Sequence, residues 1–503
     1  MYQRVNSVPR SWQRLKQWLS GGETLGHQVV VGTIWVYALQ LVLRGFALIR
    51  TWILARLLAP EDFGMAGIAT LAVGVLEAFS QTGFDRALVQ KKGVNTDYLD
   101  TAWTVSMVRG GVLCLIFFLA SPSVANFYNV PGAAPICRIV GLSFLAKGLN
   151  NIGVIFLSKE MRFGRNFFYE MSVVLIGFFV TISLAFMLRN EWALVWGLVA
   201  QFVTRLVGSY IVDAYRPSFR LDLTKTRELY SFGFWIFAST VVTFLAKRGD
   251  SIVLPKILDV TAFGFYTMAF TVATLPATQV GVVSRVLFPT YCKLQDDPSR
   301  LKNYYLRAMR IIPFLTIPAC GGIFILAGPI AHILGDKWMP IVPAVQILVF
   351  STMLKTIIDS CSALFNAVGK PSLVFILTLT RTIVLAILVY PLTSKWNISG
   401  TALSVLLAAC FSIPIWIYGL KKELNVGAGD YINALLPPLL AAASMVATVY
   451  GVGLVTNQFH FMDFIISVLL GMASYFGAVY LIQNVSNYPI IADVKLVIAT
   501  LIG

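Results

Sequence analysis

Apolar runs of about 20 residues, the length of a membrane-crossing helix, recur to the end of this 503-residue chain, and eleven lysines and arginines lie inside them. Each such charge costs about 2.5–3.5 kcal/mol at a helix centre on insertion scales, so eleven deep ones together cost on the order of 30 kcal/mol. A chain keeps that many only where they face a wet cavity or a partner. Away from the span ends, the acids Glu77, Asp250 and Asp359 alone share these stretches. The membrane interior is expected to be cationic and suited to an anion.

Composition agrees with the class. The chain is 57% hydrophobic and 12% charged, with a mean hydropathy of +0.77, which excludes an ordinary soluble domain. A net charge of +16 would suggest nucleic acid in a soluble protein. Here it reads as cytoplasmic loops facing an anionic membrane surface, and no nucleic-acid partner is expected. Six cysteines (Cys114, Cys137, Cys292, Cys320, Cys361, Cys410) are scattered without a CxxC, and His27, His332 and His460 are isolated. Neither a disulfide, a metal site nor a cofactor is expected.

The hydropathy pattern predicts an all-α polytopic membrane protein with fourteen spans, near 29–57, 63–84, 101–120, 135–157, 171–188, 193–214, 231–257, 263–286, 311–329, 342–366, 372–392, 398–419, 431–454 and 463–483. Between them the inner segments hold 23 lysines and arginines and the outer ends and loops hold five (Arg56, Arg189, Lys256, Lys337, Lys395). That bias puts both termini in the cytoplasm. Residues 1–28 carry Arg4, Arg10, Arg14 and Lys16 among Trp12, Leu15, Trp18 and Leu19, with no apolar core of signal-peptide length, and read as an amphipathic segment on the inner face.

An internal repeat organises the rest. Leu54-Ala-Arg-Leu-Leu-Ala-Pro-Glu-Asp-Phe-Gly-Met-Ala returns as Leu254-Pro-Lys-Ile-Leu-Asp-Val-Thr-Ala-Phe-Gly-Phe-Tyr. Leu54/Leu254, Leu58/Leu258, Phe63/Phe263, Gly64/Gly264 and Ala69/Ala269 match without a gap, and Arg56/Lys256 match in charge. The register joins spans 1–2 to spans 7–8, an even offset, so the repeat is parallel. It predicts two six-helix lobes, 29–229 and 230–422, followed by an appended pair of spans and a cytoplasmic tail in 423–503. Together with Gly83-Phe-Asp-Arg-Ala-Leu-Val-Gln90 and Gly249-Asp-Ser-Ile-Val-Leu-Pro-Lys256, these phrases resemble the polysaccharide flippases of the O-antigen, colanic-acid and teichuronic-acid type. Those belong to the multidrug/oligosaccharidyl-lipid/polysaccharide exporter superfamily. The resemblance implies a bacterial inner-membrane transporter whose cargo is an undecaprenyl-diphosphate-linked oligosaccharide, turned from the inner to the outer leaflet. Membrane lipids and a polysaccharide polymerase machinery are the further partners it implies.

Local pairing is the first explanation for each intramembrane charge. Lys247 and Asp250 are three apart, and Lys355 and Asp359 four apart, so each pair can neutralise itself on one helix face. Arg138 and Arg285 sit near span ends, where snorkelling explains them. Arg44, Arg50, Arg109, Lys147, Arg205, Arg248 and Arg381 have no acid three or four residues away within their spans. These seven are the candidate ligands of a diphosphate, which guanidinium forks bind through paired oxygens. Gln40, Gln201, Asn150, Asn151 and Asn366 are candidates for sugar hydroxyls, against helix–helix hydrogen bonding. Glu77 is a coupling-ion candidate, with Asp250 and Asp359 behind it, and a bridge from Glu77 to one of the arginines is its structural alternative. Pro276, Pro313, Pro318 and the Pro437-Pro438 pair should interrupt helices, as hinges or as static kinks.

The pattern does not suggest an enzyme. The largest inner connection, 290–310, carries no nucleotide-binding or metal-ligand motif, and its Asp296-Asp297 reads as a solvated turn before Pro298. A polymerase or ligase would need a long outer loop, and the outer connections are short. A peptidoglycan-precursor flippase shares the expected architecture. A drug or cation antiporter of the superfamily should prefer acids in its cavity.

Overall fold

A computed structural model describes residues 25–80, 96–159, 162–220, 222–455, 460–486, 490 and 493. The expected amphipathic segment, the Gly83–Gln90 phrase and most of the C-terminal tail lie outside the described residues.

Every regular element among them is helical, as the hydropathy pattern requires. In chain order they are α1 (Leu25–Leu57), α2 (Pro60–Ser80), α3 (Thr96–Phe127), α4 (Ala133–Leu149), a 3-10 turn (Ile152–Val154), α5 (Ile155–Lys159), α6 (Phe163–Leu188) and α7 (Trp192–Val212). The second half gives α8 (Leu223–Ile257), α9 (Val260–Ala273), α10 (Ala277–Leu294), α11 (Pro298–Ile325), α12 (Ala327–Leu334), a 3-10 turn (Asp336–Ile341), α13 (Val342–Asp359), α14 (Cys361–Ala367), α15 (Pro371–Cys410) and α16 (Ile413–Leu424). The chain closes with α17 (Ala428–Val455) and α18 (Phe461–Ser486).

Ten stretches among the described residues are long and apolar enough to cross a membrane. One of them, Pro371–Leu424, holds two expected spans, because Trp396 and Asn397 leave helical geometry and Asn397 takes φ 51°. The other expected spans fall on α4, α8 and α9. Of these, α4 has 17 residues and α9 has 14, and α8 begins with the charged Lys225, Arg227 and Glu228.

Several boundaries differ from the sequence reading. The fourth span stops at Leu149, where Asn150 turns extended and Asn151 caps the 3-10 turn by accepting from the Gly153 N–H at 2.8 Å. The eighth breaks at Thr274–Pro276, since Pro276 brings no N–H and starts α10 instead. Pro313, Pro318, Pro437 and Pro438, by contrast, lie inside unbroken helices. The long inner connection expected at 290–310 shrinks to three residues, Gln295–Asp297, as both helices extend into it. Asp297 caps α11 by accepting from the Arg300 N–H at 3.1 Å, and the Ser299 hydroxyl and that N–H hold its carboxyl below the usual range.

The repeat meets itself in space. Helix α2 packs along α9, and the matched glycines sit where the two helices enter. A methyl group on Gly64 would lie 1.9 Å from the Val260 carbonyl oxygen, and one on Gly264 would lie 1.8 Å from that of Pro60. Each glycine therefore lets the start of the other half's helix approach backbone to backbone. Around this crossing the largest apolar cluster draws on both halves: Ala55, Ile68 and Ala133 with Leu254, Phe263, Trp338 and Val345. Trp338 is fully buried, edge-on to Phe63 and Phe265. The final pair stands apart, with α17 against α11 and α18 mainly against α17.

Candidate functional site: paired charges across the helices

Close helix crossings place the intramembrane charges. In α3 and α4, Gly110 and Gly148 face each other, a methyl on Gly110 falling 3.0 Å from the Gly148 Cα. Arg109 and Lys147 immediately precede these glycines, so they stand at one level of the bundle. Lys147 Nζ donates to Glu77 Oε2 of α2 at 2.7 Å, and both side chains are more than one-third exposed. Glu77 thus makes the cross-helix bridge that was its structural alternative, with a lysine in place of an arginine. Phe202 of α7 lies against the same ammonium, 5.6 Å from ring centroid to nitrogen.

Helices α6 and α7 form a second close pair. Gly197 fits against Thr181, whose hydroxyl donates to the Gly177 carbonyl at 2.6 Å, and Gly177 is covered by Gln201. One turn beyond Gln201, Arg205 grips Glu170 with both arms of its guanidinium, at 3.0 and 2.7 Å. Sequence spacing gave Arg205 no acid partner on its own helix. It has one on the neighbouring helix because α6 starts at Phe163, eight residues before the expected span, and carries Glu170 into the bundle. A bidentate fork of this kind fixes orientation as well as charge.

In the second half, both acids of the expected local pairs are hydrogen-bonded across helices. Asp359 Oδ1 accepts from Arg381 Nη2 of α15 at 3.0 Å, so Arg381 too has an acid partner. Arg381 is 8% exposed, whereas nearly half of the Asp359 side chain is open. Lys355 has Asp359, Arg381, Lys247 and Asp250 as its charged neighbours. Asp250 is buried and hydrogen-bonded: Oδ2 takes the Tyr266 hydroxyl of α9, and Oδ1 takes the Ser251 N–H at 2.7 Å and its hydroxyl at 3.3 Å. Lys247 and Arg248 are exposed on α8, Arg248 over the Phe270 ring at 6.0 Å.

The other candidates fall into place around these. Arg44 and Arg109 each engage a neighbouring group, and Arg50 is half-buried on α1. Arg138 donates to the Ser121 hydroxyl at 3.1 Å and lies over Phe118. The Arg285 side chain lies outside the described residues. Asn151 is committed to structure, its amide donating to the Tyr215 carbonyl at 2.7 Å besides capping the 3-10 turn. Gln201 serves the α6–α7 packing, while Gln40 and Asn150 are half-buried and Asn366 is exposed. The six cysteines are free thiols, and no metal-holding group of His, Cys, Asp or Glu occurs among the described residues.

Nine cations (Arg44, Arg50, Arg109, Lys147, Arg205, Lys247, Arg248, Lys355, Arg381) therefore stand with four acids (Glu77, Glu170, Asp250, Asp359) on helices of both halves. The surplus is positive in each half. Such an arrangement can exchange a protein carboxylate for a ligand's phosphate oxygens, since both satisfy the same donors. The fold and this charge pattern define a polytopic membrane transporter.

Comparisons with known proteins agree. Residues 53–343 match the family described as polysaccharide biosynthesis protein. The chain belongs to that family, and so to the membrane transporters of polysaccharide biosynthesis rather than to the enzymes. The lipopolysaccharide biosynthesis protein WzxC of Escherichia coli is 22% identical over 86% of this chain and 89% of its own. The teichuronic acid biosynthesis protein TuaB of Bacillus subtilis is 22% identical over 81% of this chain and 85% of its own. Among solved structures, the lipid II flippase MurJ in an inward closed conformation superposes with a TM-score of 0.71 at 16% identity, covering 89% of this chain and 98% of that one. An inward-facing multidrug resistance transporter of the MATE family gives 0.59 at 14% identity, covering 75% and 94%. These structures share the fold.

Proposed function

We propose that the chain flips an undecaprenyl-diphosphate-linked oligosaccharide from the inner to the outer leaflet of the bacterial cytoplasmic membrane, for surface polysaccharide biosynthesis. Family membership supports the class of cargo, and the cationic surplus on helices of both halves is the observation that carries the diphosphate. Arg44, Arg50, Arg109, Lys147, Arg205, Arg248 and Arg381 line the path in this reading. The lobes 29–229 and 230–422 rock about the α2–α9 crossing, fourteen spans place both termini in the cytoplasm, and the pair after 423 flanks the second lobe.

Glu77 and Asp359 act as placeholders. Each holds its cation in position while the cavity is empty and is displaced when phosphate oxygens arrive. A displaced carboxylate is then free to take a coupling ion, which links cargo entry to ion exchange. Asp250, already held by Tyr266 and Ser251, is the least exchangeable of the three acids.

The test is a deletion strain. Removing the gene should leave the lipid-linked glycan on the inner leaflet, and single Gln replacements of Arg44, Arg109, Lys147, Arg205 and Arg381 should reduce its export at unchanged protein level. Full export from every one of these variants would overturn the cationic path. Accumulation of the peptidoglycan precursor instead would assign the chain that cargo.

A further inference from the structure

The repeat-matched cations Arg56 and Lys256 make the same contact in opposite directions. Arg56, one residue from the end of α1, donates through Nε to the Ile333 carbonyl in the last turn of α12, at 3.0 Å. Lys256, one residue from the end of α8, donates through Nζ to the carbonyl of Phe127, the last residue of α3, at 2.6 Å. Each cation leaves its own half and caps a helix C-terminus of the other. The final carbonyls of a helix have no partner within it and carry the negative end of its dipole, which suits a cation.

An aromatic donor accompanies each. Tyr128, directly after Phe127, gives its hydroxyl to the Ile252 carbonyl at 3.3 Å. Trp338, in the 3-10 turn after α12, gives its indole N–H to the Ala55 carbonyl at 2.8 Å. Tyr128 and Trp338 thus each follow a capped helix end and return a bond to the other half. Gly64 and Gly264 cross near the starts of α2 and α9.

We propose that these contacts are two repeat-related latches holding the outer side shut, with Arg56 and Trp338 in one and Lys256 and Tyr128 in the other. The inference rests on the alternating-access reading and orientation proposed above. Each latch must release for the halves to part, because every one of these bonds joins a side chain of one half to the backbone of the other. A side chain seated on backbone carbonyls adds no charged partner that cargo could capture, so the latches do not compete with the cationic path.

The two are unequal. At the first, Trp52 also donates to the Ile333 carbonyl at 3.1 Å, and Lys337 reaches the carbonyls of Leu58 at 2.6 Å and Arg56 at 3.1 Å. At the second, Ile252 stands at the repeat position of Trp52, and its side chain has no N–H to give. Lys256 therefore carries its side with the Tyr128 hydroxyl as its companion.

The test uses the full chain with its six cysteines replaced, spin-labelled at Asn126 and Asp336, which lie on the two halves beside the latches. The parent should give one short distance. Lys256→Met should raise the longer-distance population about fivefold, the change that loss of one net hydrogen bond produces. Arg56→Gln should raise it less, since Trp52 and Lys337 remain, and the double variant should raise it most. Lys256→Arg should restore the short distance, and Tyr128→Phe offers a milder opening if the double variant does not fold. A double variant, or a Lys256→Met/Tyr128→Phe variant, with the parent's distribution would overturn the latches. So would reaction of Asp336→Cys with an impermeant thiol reagent from the inner side only. The distance readout needs no cargo, so a deletion strain without glycan accumulation would remove the flippase reading and leave the latches standing.

Discussion

Three cations of the expected path turn out to hold carboxylates from neighbouring helices, and the exposure of each pair sets what its loss should do. Glu77 and Lys147 are each more than one-third open, and partly exposed pairs contribute about 0–1 kcal/mol. Glu77→Gln should leave the melting temperature of purified protein nearly unchanged while altering the pH dependence of export. An unfolded or absent protein would show instead that the pair is structural. Arg381 is nearly buried, so Asp359→Asn leaves a cation without its counter-charge and should cost roughly 3–5 kcal/mol, read as a lowered denaturation midpoint. Arg381→Leu with Asp359→Leu should recover much of that loss.

The cations were legible in the sequence, and their partners were not. Neighbours at three or four positions are visible along one helix, whereas Glu77 is 70 residues from Lys147 and Glu170 is 35 from Arg205. Glu170 was also lost to a boundary: the charged and polar start of α6 hid two turns of helix. Spacing offered Asp359 to Lys355, which keeps it as a charged neighbour, but its hydrogen-bonded partner is Arg381 from across the bundle. Spacing likewise offered Asp250 to Lys247, and in the buried site it is the Tyr266 hydroxyl of α9 that binds it.

At the scale of helices, close approach rather than apolar pattern decides the geometry. Gly64 and Gly264 meet backbone atoms that cannot swing aside, so Gly64→Ala should separate α2 from α9 and lower stability by about 1–3 kcal/mol, the range of an overpacked core. Gly111 has nothing within 4 Å of its missing methyl, so Gly111→Ala should be neutral or should stabilise by up to about 1 kcal/mol. Thermal denaturation of the two variants side by side checks the contrast. Equal effects would mean that the crossing yields easily. The repeat could be read from the sequence because it preserved glycine and leucine at matched positions. What the glycines touch could not, since the contact joins residues about 200 apart. Of the prolines expected to interrupt helices, Pro276 ends one, whereas Pro313 and Pro437 are held inside continuous helices.

For the whole molecule, the all-helical architecture followed from hydropathy, while the division into two lobes rests on the repeat and their orientation on the 23-to-5 distribution of positive charge. Cysteine substitution at Asp336 should react with impermeant reagents added outside, and substitution at Ser299 or Lys422 should react only after the membrane is opened. Asp336 is preferable to its neighbour Gly335, whose φ of 121° strains any side chain. The reverse labelling would invert the proposed direction of transport.

The crossing of α2 over α9 also carries a symmetry. Residue 64 touches residue 260 and residue 264 touches residue 60, the contact rule of a two-fold symmetric homodimer written into one polypeptide. A surface built on that rule has to be complementary to its own repeat, which is why glycine is required at both matched positions. Two halves of one chain mutate independently, so Trp52 can donate across the seam while its repeat partner Ile252, with no side-chain N–H, cannot.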